Sequence, residues 1–191
     1  KQTSPDDYSN LGPIATLGED LLVVLGDPPS SIELYDGTTF ERLQMFIDPT
    51  PESAWGWGTG TRLLGIADNV VVFDREEQVV YVFDAASGAL LHTLQSLPPE
   101  DPDGFARQLL PLGSNLLVGG AGVVNLFDLV SGELLRSFVD PTPGPGRFGR
   151  SLATIAGDVL IGGRREDAVY RFDGATGALV RTFTDPDHVD R

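Results

Sequence analysis

Four carboxylates recur in this sequence at nearly constant spacing, each directly after an aromatic residue. The pairs are Tyr35-Asp36, Phe83-Asp84, Phe127-Asp128 and Phe172-Asp173, so the Asp residues lie 48, 44 and 45 positions apart. Four carboxylates in one ring could bind a cation. Each Asp, however, also precedes a turn-forming segment such as Ala85-Ala86-Ser87-Gly88, and an Asp in that place accepts hydrogen bonds from the backbone of its own turn. We therefore predict that these Asp residues cap turns.

Residues suited to catalysis or metal binding are otherwise sparse. The chain has no Cys and two His, His92 and His188, which lie far apart. No Ser-His-Asp order or metal-spaced His pair is present. His92 occupies a position where the other copies have Gln44, Arg136 and Arg181, which is typical of a solvent-facing site. We predict no catalytic residue, no metal, no cofactor and no enzymatic activity in this chain.

The recurring Asp residues belong to a longer repeated pattern. Seven positions after each Asp lies an apolar residue, and ten positions after it lies another, followed by a Pro. The first set is Leu43, Leu91, Leu135 and Val180, and the second is Phe46, Leu94, Phe138 and Phe183. Two apolar runs also precede each Asp. Short runs rich in Val, Leu, Ile and aromatics, bounded by Gly, Asp, Asn and Pro, predict β-strands, so the chain is predicted to be all-β.

The last copy shows the strands most clearly. It predicts strands at Arg150–Ile155, Val159–Gly162, Ala168–Phe172 and Ala178–Phe183, separated by turns and one loop. A four-stranded unit of about 45 residues is the size of one β-propeller blade. We predict a single propeller domain over residues 1–191 with blades at about 8–49, 57–98, 105–141 and 148–186. The four blades form either a complete ring or part of a larger one.

The fourth copy resembles a known repeat family. Phe148-Gly149-Arg150-Ser151-Leu152-Ala153, then Gly157-Asp158-Val159-Leu160-Ile161-Gly162-Gly163 and Val169-Tyr170-Arg171-Phe172-Asp173, are similar to the FG-GAP repeat of integrin-α-type propellers and bacterial surface proteins. The other copies match more loosely, with Trp57-Gly58 and Phe105-Ala106 in place of Phe-Gly. The resemblance implies a propeller used for binding or adhesion, outside the cytoplasm or at the cell surface.

The copies depart from integrin-type repeats at the turn between their first two strands. That turn often carries a calcium loop in the family, and calcium requires six to eight oxygen ligands. Here the four turns are short: Gly18-Glu19-Asp20, Ala67-Asp68-Asn69, Gly113-Ser114-Asn115 and Gly157-Asp158. Because no such turn has room for a cage of carboxylates, we predict that they bind no calcium.

Blade geometry indicates where a ligand would bind. In a four-stranded meander, the loop joining strands two and three lies at the same end as the connection to the next blade. These segments vary in length and chemistry between copies, and variable loops on a rigid scaffold commonly carry recognition. The candidate ligand-binding residues are Trp55, Trp57, Arg164 and Arg165. For Trp57, packing between blades in place of the Phe of the Phe-Gly motif is the alternative.

Charge and hydropathy limit the partners. The net charge of −15 disfavours nucleic acid, whose binding requires a cationic track, and no run of 18 apolar residues is present to insert in a membrane. We expect a protein or glycan partner for a non-enzymatic binding, adhesion or assembly scaffold. The alternative is a propeller module of a larger extracellular enzyme or sensor. Residues 1–7 and 185–191 both resemble linkers between blades, so a homodimer and a longer repeat array are alternatives to a self-contained domain.

Overall fold

The computed structural model describes residues 11–25, 31–50, 57, 61–75, 77–95, 106, 108–120, 122–142, 148–163 and 168–184. Over these residues the chain is all-β, with sixteen strands in four antiparallel sheets of four strands each. No helix in this part of the chain is long and apolar enough to cross a membrane. The chain divides into two compact units, Lys1–Leu94 and Gln95–Arg191, and each unit contains two of the sheets.

The first unit contains blades 1 and 2, and the strands of each are hydrogen-bonded in sequence order. The strands of blade 1 are β1 (Leu11–Leu17), β2 (Asp20–Leu25), β3 (Ser31–Tyr35) and β4 (Arg42–Ile47). The strands of blade 2 are β5 (Arg62–Ile66), β6 (Asn69–Asp74), β7 (Val79–Asp84) and β8 (Leu90–Gln95). In each blade the first and the last strand pair on one side only within their sheet, and we call the last one the outer strand.

The second unit repeats this arrangement in blades 3 and 4. The strands of blade 3 are β9 (Gln108–Leu112), β10 (Asn115–Gly119), β11 (Val123–Asp128) and β12 (Leu134–Val139). The strands of blade 4 are β13 (Ser151–Ile155), β14 (Asp158–Gly163), β15 (Ala168–Phe172) and β16 (Leu179–Thr184). The four strands predicted for the last copy are confirmed to within one residue at each end.

Tight two-residue turns join the first two strands of every blade. The residue after the first strand has positive φ in all four: Gly18, Ala67, Gly113 and Ala156. This conformation matches the right-handed twist of a two-residue hairpin. Gly18 and Gly113 adopt it without steric cost, whereas Ala67 and Ala156 adopt it in spite of their Cβ atoms. The turns therefore set the register between β1 and β2 and between the equivalent strands of the other blades.

Each blade has two apolar faces, and the strand register assigns residues to them. Residues paired directly across neighbouring antiparallel strands lie on the same face. In blade 1, Val24, Ile32 and Phe46 are cross-strand partners and share what we call the forward face. In blade 2, Val70 is the partner of Phe83, and they lie on what we call the rear face. The forward face thus contains the residue ten positions after the repeated Asp, and the rear face contains the aromatic residue before it.

The core of the first unit lies where the forward face of blade 1 meets the rear face of blade 2, which we call the first junction. Its buried residues are Leu22, Val24, Ile32, Leu34 and Phe46 from blade 1 and Trp57, Val70, Val72, Val79, Tyr81, Phe83 and Ala85 from blade 2. Phe46 packs on Phe83 with ring centroids 5.6 Å apart. Burial of both faces against each other supplies the hydrophobic stabilisation that a lone meander lacks.

The core of the second unit has the same construction, and we call it the second junction. Blade 3 contributes Leu117, Val124, Leu126 and Phe138, and blade 4 contributes Phe148, Val159, Ile161, Ala168, Tyr170 and Phe172. Phe138 packs on Phe172 at 5.5 Å, which repeats the Phe46–Phe83 contact. The two junctions therefore have one aromatic contact in common at matching positions of the repeat.

Candidate interaction surfaces

The four repeated Asp residues cap the turns between the third and fourth strands. In each, Oδ1 accepts hydrogen bonds from backbone N–H groups two or three residues further on, such as Thr38 and Thr39 at 2.9 and 2.7 Å for Asp36. The other acceptors are Asp84, Asp128 and Asp173. The prediction of turn capping is confirmed.

These hydrogen bonds favour the ionised form of the carboxyl groups. The backbone N–H of Thr39 lowers the pKa of Asp36. Side-chain hydroxyl groups are the main cause at two other turns, where Ser87 lowers the pKa of Asp84 and Thr176 lowers that of Asp173. One oxygen of each of the four carboxylates, Oδ1, is thus already engaged in local hydrogen bonds.

At the opposite end of the first unit, a polar chain links the two blades. Asp48 Oδ1 accepts hydrogen bonds from the backbone N–H of Thr50 at 2.8 Å and from its hydroxyl at 3.0 Å. The side chain of Thr50 is in turn hydrogen-bonded to Tyr81 of the next blade, and burial raises the pKa of the Tyr81 phenol. This chain fixes the connection that follows β4 against the rear face of blade 2.

The second unit contains the same polar chain. Asp140 Oδ1 accepts from the backbone N–H and the hydroxyl of Thr142 at 2.9 and 3.0 Å. The Thr142 hydroxyl lies 3.0 Å from the Tyr170 phenol. Both units therefore use an Asp-Pro-Thr sequence to attach the connection to a Tyr of the following blade. The sequence pattern contained this signal, because Asp48-Pro49-Thr50 and Asp140-Pro141-Thr142 recur at the same phase.

The first junction contains an additional acidic residue. Asp74 pairs with Val79 at the end of β6 and is only 2% exposed, whereas the matching position of blade 4 is Gly163, the partner of Ala168. Asp48 is also buried, at 5% exposure. The first junction thus contains two buried carboxyl groups. At the matching positions the second junction has Gly163 and the half-buried Asp140. Among the described residues, no group of three or more His, Cys, Asp or Glu is arranged to hold a metal ion.

The predicted ligand-binding residues lie at this end of the units or outside the described residues. Trp57 is fully buried and packs edge-on against Phe83, with ring centroids 5.9 Å apart. This placement supports the packing role that the sequence left open for it, and Phe148 has the equivalent contact with Phe172 at 6.1 Å. Trp55, Arg164 and Arg165 lie outside the described residues.

The row that contains His92 is not solvent-facing throughout, so that prediction was wrong. Gln44 is half-buried, and its Nε2 donates to the carbonyl of Ala86 in the next blade at 3.0 Å. Arg136 is also half-buried, and its guanidinium donates to the carbonyl of Gly174. His92 is half-buried as well, whereas Arg181 of blade 4 is exposed. A long polar side chain at the edge of a blade reaches the turn of its neighbour, which a pattern of polar residue types cannot distinguish from simple exposure.

The two repeated apolar rows differ in burial, which the sequence did not reveal. Phe46, Leu94 and Phe138, ten positions after the Asp, are buried, whereas Leu43, Leu91, Leu135 and Val180, seven positions after it, are all exposed. On β4 the exposed apolar residues continue as Met45 and Ile47. Because alternate residues of a strand share a face, Leu43, Met45 and Ile47 form one apolar stripe on the outer edge of blade 1. We call it the β4 stripe.

Several solved structures are similar to this chain in fold. BamB from Moraxella catarrhalis has a TM-score of 0.64 and 15% identity and matches over 90% of this chain and 48% of its own. The WD40 beta propeller domain of Doa1 has a TM-score of 0.58 and 15% identity, with 93% and 55% covered. The computationally designed Ika4 protein has a TM-score of 0.59 and 17% identity, with 87% and 92% covered.

These likenesses define the fold class. The chain is a β-propeller built from four four-stranded blades. It spans about half the length of the BamB and Doa1 chains that it matches. No family model and no curated protein sequence matches this chain.

Proposed function

We propose that this propeller is a non-enzymatic scaffold that binds a partner protein, and that the β4 stripe is where an extended segment of the partner adds to the blade. The observation that carries the proposal is the stripe itself: three exposed apolar side chains alternate along the outer strand of a rigid sheet. Outer strands present backbone N–H and C=O groups to an incoming strand, and alternate side chains supply specificity.

The other blades support the choice of β4. At the positions of Met45 and Ile47, blade 2 has Thr93 and Gln95, and blade 4 has Thr182 and Thr184. These polar side chains offer less apolar surface to an incoming strand. Blade 1 has apolar residues at both positions, so we propose its outer strand as the one that an apolar segment of a partner would bind.

The loop end of the blades remains a second surface within this proposal. We propose Trp55 of the first unit and, separately, Arg164 and Arg165 of the second as candidate contacts for a protein or glycan. The Asp-Pro-Thr connections lie at the same end and give it a rigid base in each unit. A propeller module of a larger extracellular enzyme or sensor is the alternative use of the same surfaces.

The resemblance of residues 148–173 to the FG-GAP repeat is the basis for a proposed location, which is extracellular, periplasmic or at the cell surface. It is also the basis for a proposed role in adhesion or assembly. The net charge of −15 further favours partners with a basic rim around an apolar segment over nucleic acid.

A displayed library of random 12-residue peptides tests the proposal. We expect enrichment of peptides with alternating apolar residues on the wild-type chain, and loss of their binding to the double variant Met45→Thr/Ile47→Thr, which copies the polar pattern of blade 4. The matched control is Leu135→Thr on the outer strand of blade 3, which leaves β4 intact. Peptides that bind the double variant equally well, and lose binding when Trp55, Arg164 and Arg165 are changed to Ala, would place recognition at the loop end instead.

A further inference from the structure

The turn between β3 and β4 has a bulky residue where the other blades have glycine. Four positions after the repeated Asp, blade 1 has Phe40, whereas blades 2, 3 and 4 have Gly88, Gly132 and Gly177. In all four turns the backbone N–H of this residue donates to the carbonyl of the repeated Asp, at 2.8–2.9 Å. The four residues are therefore structurally equivalent, and blade 1 differs from the others only in the side chain.

Phe40 is strained in this position. Its φ is +57°, and the three equivalent glycines have φ between +72° and +78°. Glycine adopts this left-handed conformation without steric cost, whereas a bulky side chain is strained there. Phe40 is also 68% exposed, so its ring gains little from burial within this chain. Neither the geometry of the turn nor hydrophobic burial accounts for a Phe at this place.

The preceding blade explains why two of the other turns exclude a side chain. A Cβ atom at Gly88 would lie 3.0 Å from the side chain of Gln44, and one at Gly177 would lie 2.6 Å from that of Arg136. In both junctions a long polar side chain thus occupies the space next to the glycine. The ring of Phe40 is exposed instead. Its surroundings therefore leave room for an aromatic residue but give no structural reason for one.

Phe40 lies two residues before β4 and so adjoins the β4 stripe in sequence. The stripe consists of the exposed residues Leu43, Met45 and Ile47. From Phe40 to Ile47 the chain spans at most about 23 Å. An extended segment of 12 residues is about 40 Å long. A partner segment paired along β4 would therefore also reach the turn that contains Phe40.

The charges at this end of blade 1 indicate what the ring would contact. Two turns meet here, since the N–H of Gly37 donates to Asp20 Oδ1 at 3.2 Å. Together they contain four carboxylates, which are those of Glu19, Asp20, Asp36 and Glu41. Within the part of the chain that the structure describes, none of the four forms an ion pair, and the adjacent Arg42 is paired with Glu33 at 2.9 Å. An exposed aromatic ring among such carboxylates favours a cationic side chain.

On the basis of the proposed strand addition at the β4 stripe, we infer that Phe40 is the residue that determines specificity at that site. It selects a partner segment in which an Arg lies beside the alternating apolar residues. The guanidinium of this Arg stacks on the Phe40 ring, and Asp36 and Glu41 balance its charge. The same pair of groups occurs within the chain, where the guanidinium of Arg181 lies 5.0 Å from the centroid of the Phe183 ring. Strained residues are often retained where they serve binding.

Replacement of the ring by the glycine of the other blades tests the inference. On the wild-type chain, a displayed library of random 12-residue peptides should yield peptides with alternating apolar residues and an Arg at one end. Fluorescence anisotropy should show about 10-fold weaker binding of such a peptide to Phe40→Gly. The melting temperature of this variant should rise by about 2–4 °C, because the strain of the turn is relieved. A ring that served only the fold would lower the melting temperature when removed.

Two further variants separate the ring from the charges. Phe40→Tyr retains an aromatic ring and should bind the peptide within about twofold of the wild type. Glu41→Gln should weaken binding by about threefold and reduce its dependence on salt. The matched control is Glu133→Gln, the equivalent residue of blade 3, which should leave binding unchanged.

The failure of this inference is distinguishable from the failure of the proposed function. If the selected peptides require Met45 and Ile47 but bind Phe40→Gly as tightly as the wild type, strand addition stands and the role of Phe40 is wrong. If no peptide requires Met45 and Ile47, both are wrong. A melting temperature that falls in Phe40→Gly also overturns the inference. So does self-association of the wild-type chain that Phe40→Gly abolishes, since the ring would then serve a contact between copies.

Discussion

The first and second junctions have the same plan but differ in what lies at their edges. Both contain a Phe–Phe contact, an Asp-Thr-Tyr chain and a large aromatic residue before the first strand of the following blade. The first junction adds the buried carboxyl groups of Asp48 and Asp74, and it uses Trp57 where the second uses Phe148. The contacts that join two blades are therefore common to both junctions. The first junction is more polar than the second because of its two buried carboxyl groups.

The inner strands also differ between the junctions. A Cβ atom at Gly65 of β5 would lie 2.3 Å from the carbonyl oxygen of Thr16 in β1, so only Gly permits this approach. The equivalent position of β13, set by pairing with Val159 as Gly65 pairs with Val70, is the exposed Thr154. Close packing between the first strands of neighbouring blades is thus seen at this position in the first unit and not in the second.

The largest expected effect tests whether the shared aromatic contact stabilises both junctions equally. We expect Phe46→Ala and Phe138→Ala each to lower the free energy of unfolding by about 3–5 kcal/mol, because each removes a fully buried ring. Phe183→Ala is the control and should cost less than about 1 kcal/mol because the ring is exposed. Urea unfolding monitored by fluorescence measures the differences. Equal costs at Phe46 and Phe183 would contradict the assignment of faces.

A threonine exchange tests the difference between the inner strands. Gly65→Thr should cost about 2–3 kcal/mol, because its side chain would overlap the backbone of β1. The reverse change, Thr154→Gly, should cost only about 1 kcal/mol, the usual penalty of Gly in a strand. Thermal unfolding of the two variants provides the measurement. If Gly65→Thr is tolerated as well as Thr154→Gly, the inner strands of the first unit are not held in close contact.

Removal of the Asp that begins each polar chain tests the effect of burial. Asp48→Ala should cost about 1–2 kcal/mol, because two buried hydrogen bonds from Thr50 are lost. Asp140→Ala removes the same two bonds at a half-buried site and should cost about half as much. Denaturant titration measures the free energy of unfolding of the two variants. A larger decrease for Asp140→Ala than for Asp48→Ala would show that depth of burial does not set the strength of these hydrogen bonds.

The smallest effect is expected from acid, and here the units should behave alike. The pKa values of Asp84 in the first unit and Asp173 in the second are both lowered in the folded chain, relative to 3.8. Their stabilisation is therefore complete above pH 3.8 and is lost as the pH falls through the lower folded pKa values. The melting temperature of the wild type should decrease as the pH is lowered below 3.8. In Asp84→Asn and in Asp173→Asn this decrease should be smaller. A change in only one variant would show that the turns are not equivalent.

Much of the architecture was predictable from the sequence. The spacing of the aromatic-Asp pairs predicted four sheets of four strands, and alternation with turn residues located the strands of the last copy to within one residue. These features are local, since turn chemistry and side-chain period act between near neighbours in the chain. The capping role of the four Asp residues was predictable for the same reason.

The candidate surfaces were harder to predict from the sequence, because they depend on which face of a blade packs against another blade. The apolar rows at seven and ten positions after the Asp have the same composition, yet Leu43 is exposed and Phe46 is buried. The row of His92 was predicted to face solvent, but Gln44 and Arg136 reach the next blade. Residue type cannot separate these cases, since an apolar residue gains its burial only from what packs against it.

The sequence by itself determined that the chain is all-β, that it repeats four times and where its turns are capped. Only the tertiary structure decided that Trp57 lies in the core and that Phe183, with the same repeat position as Phe138, is exposed. The physical reason is that strand and turn formation are governed by neighbouring residues, whereas burial is a property of two surfaces in contact. Identical repeat positions therefore differ wherever one blade is covered and another is not.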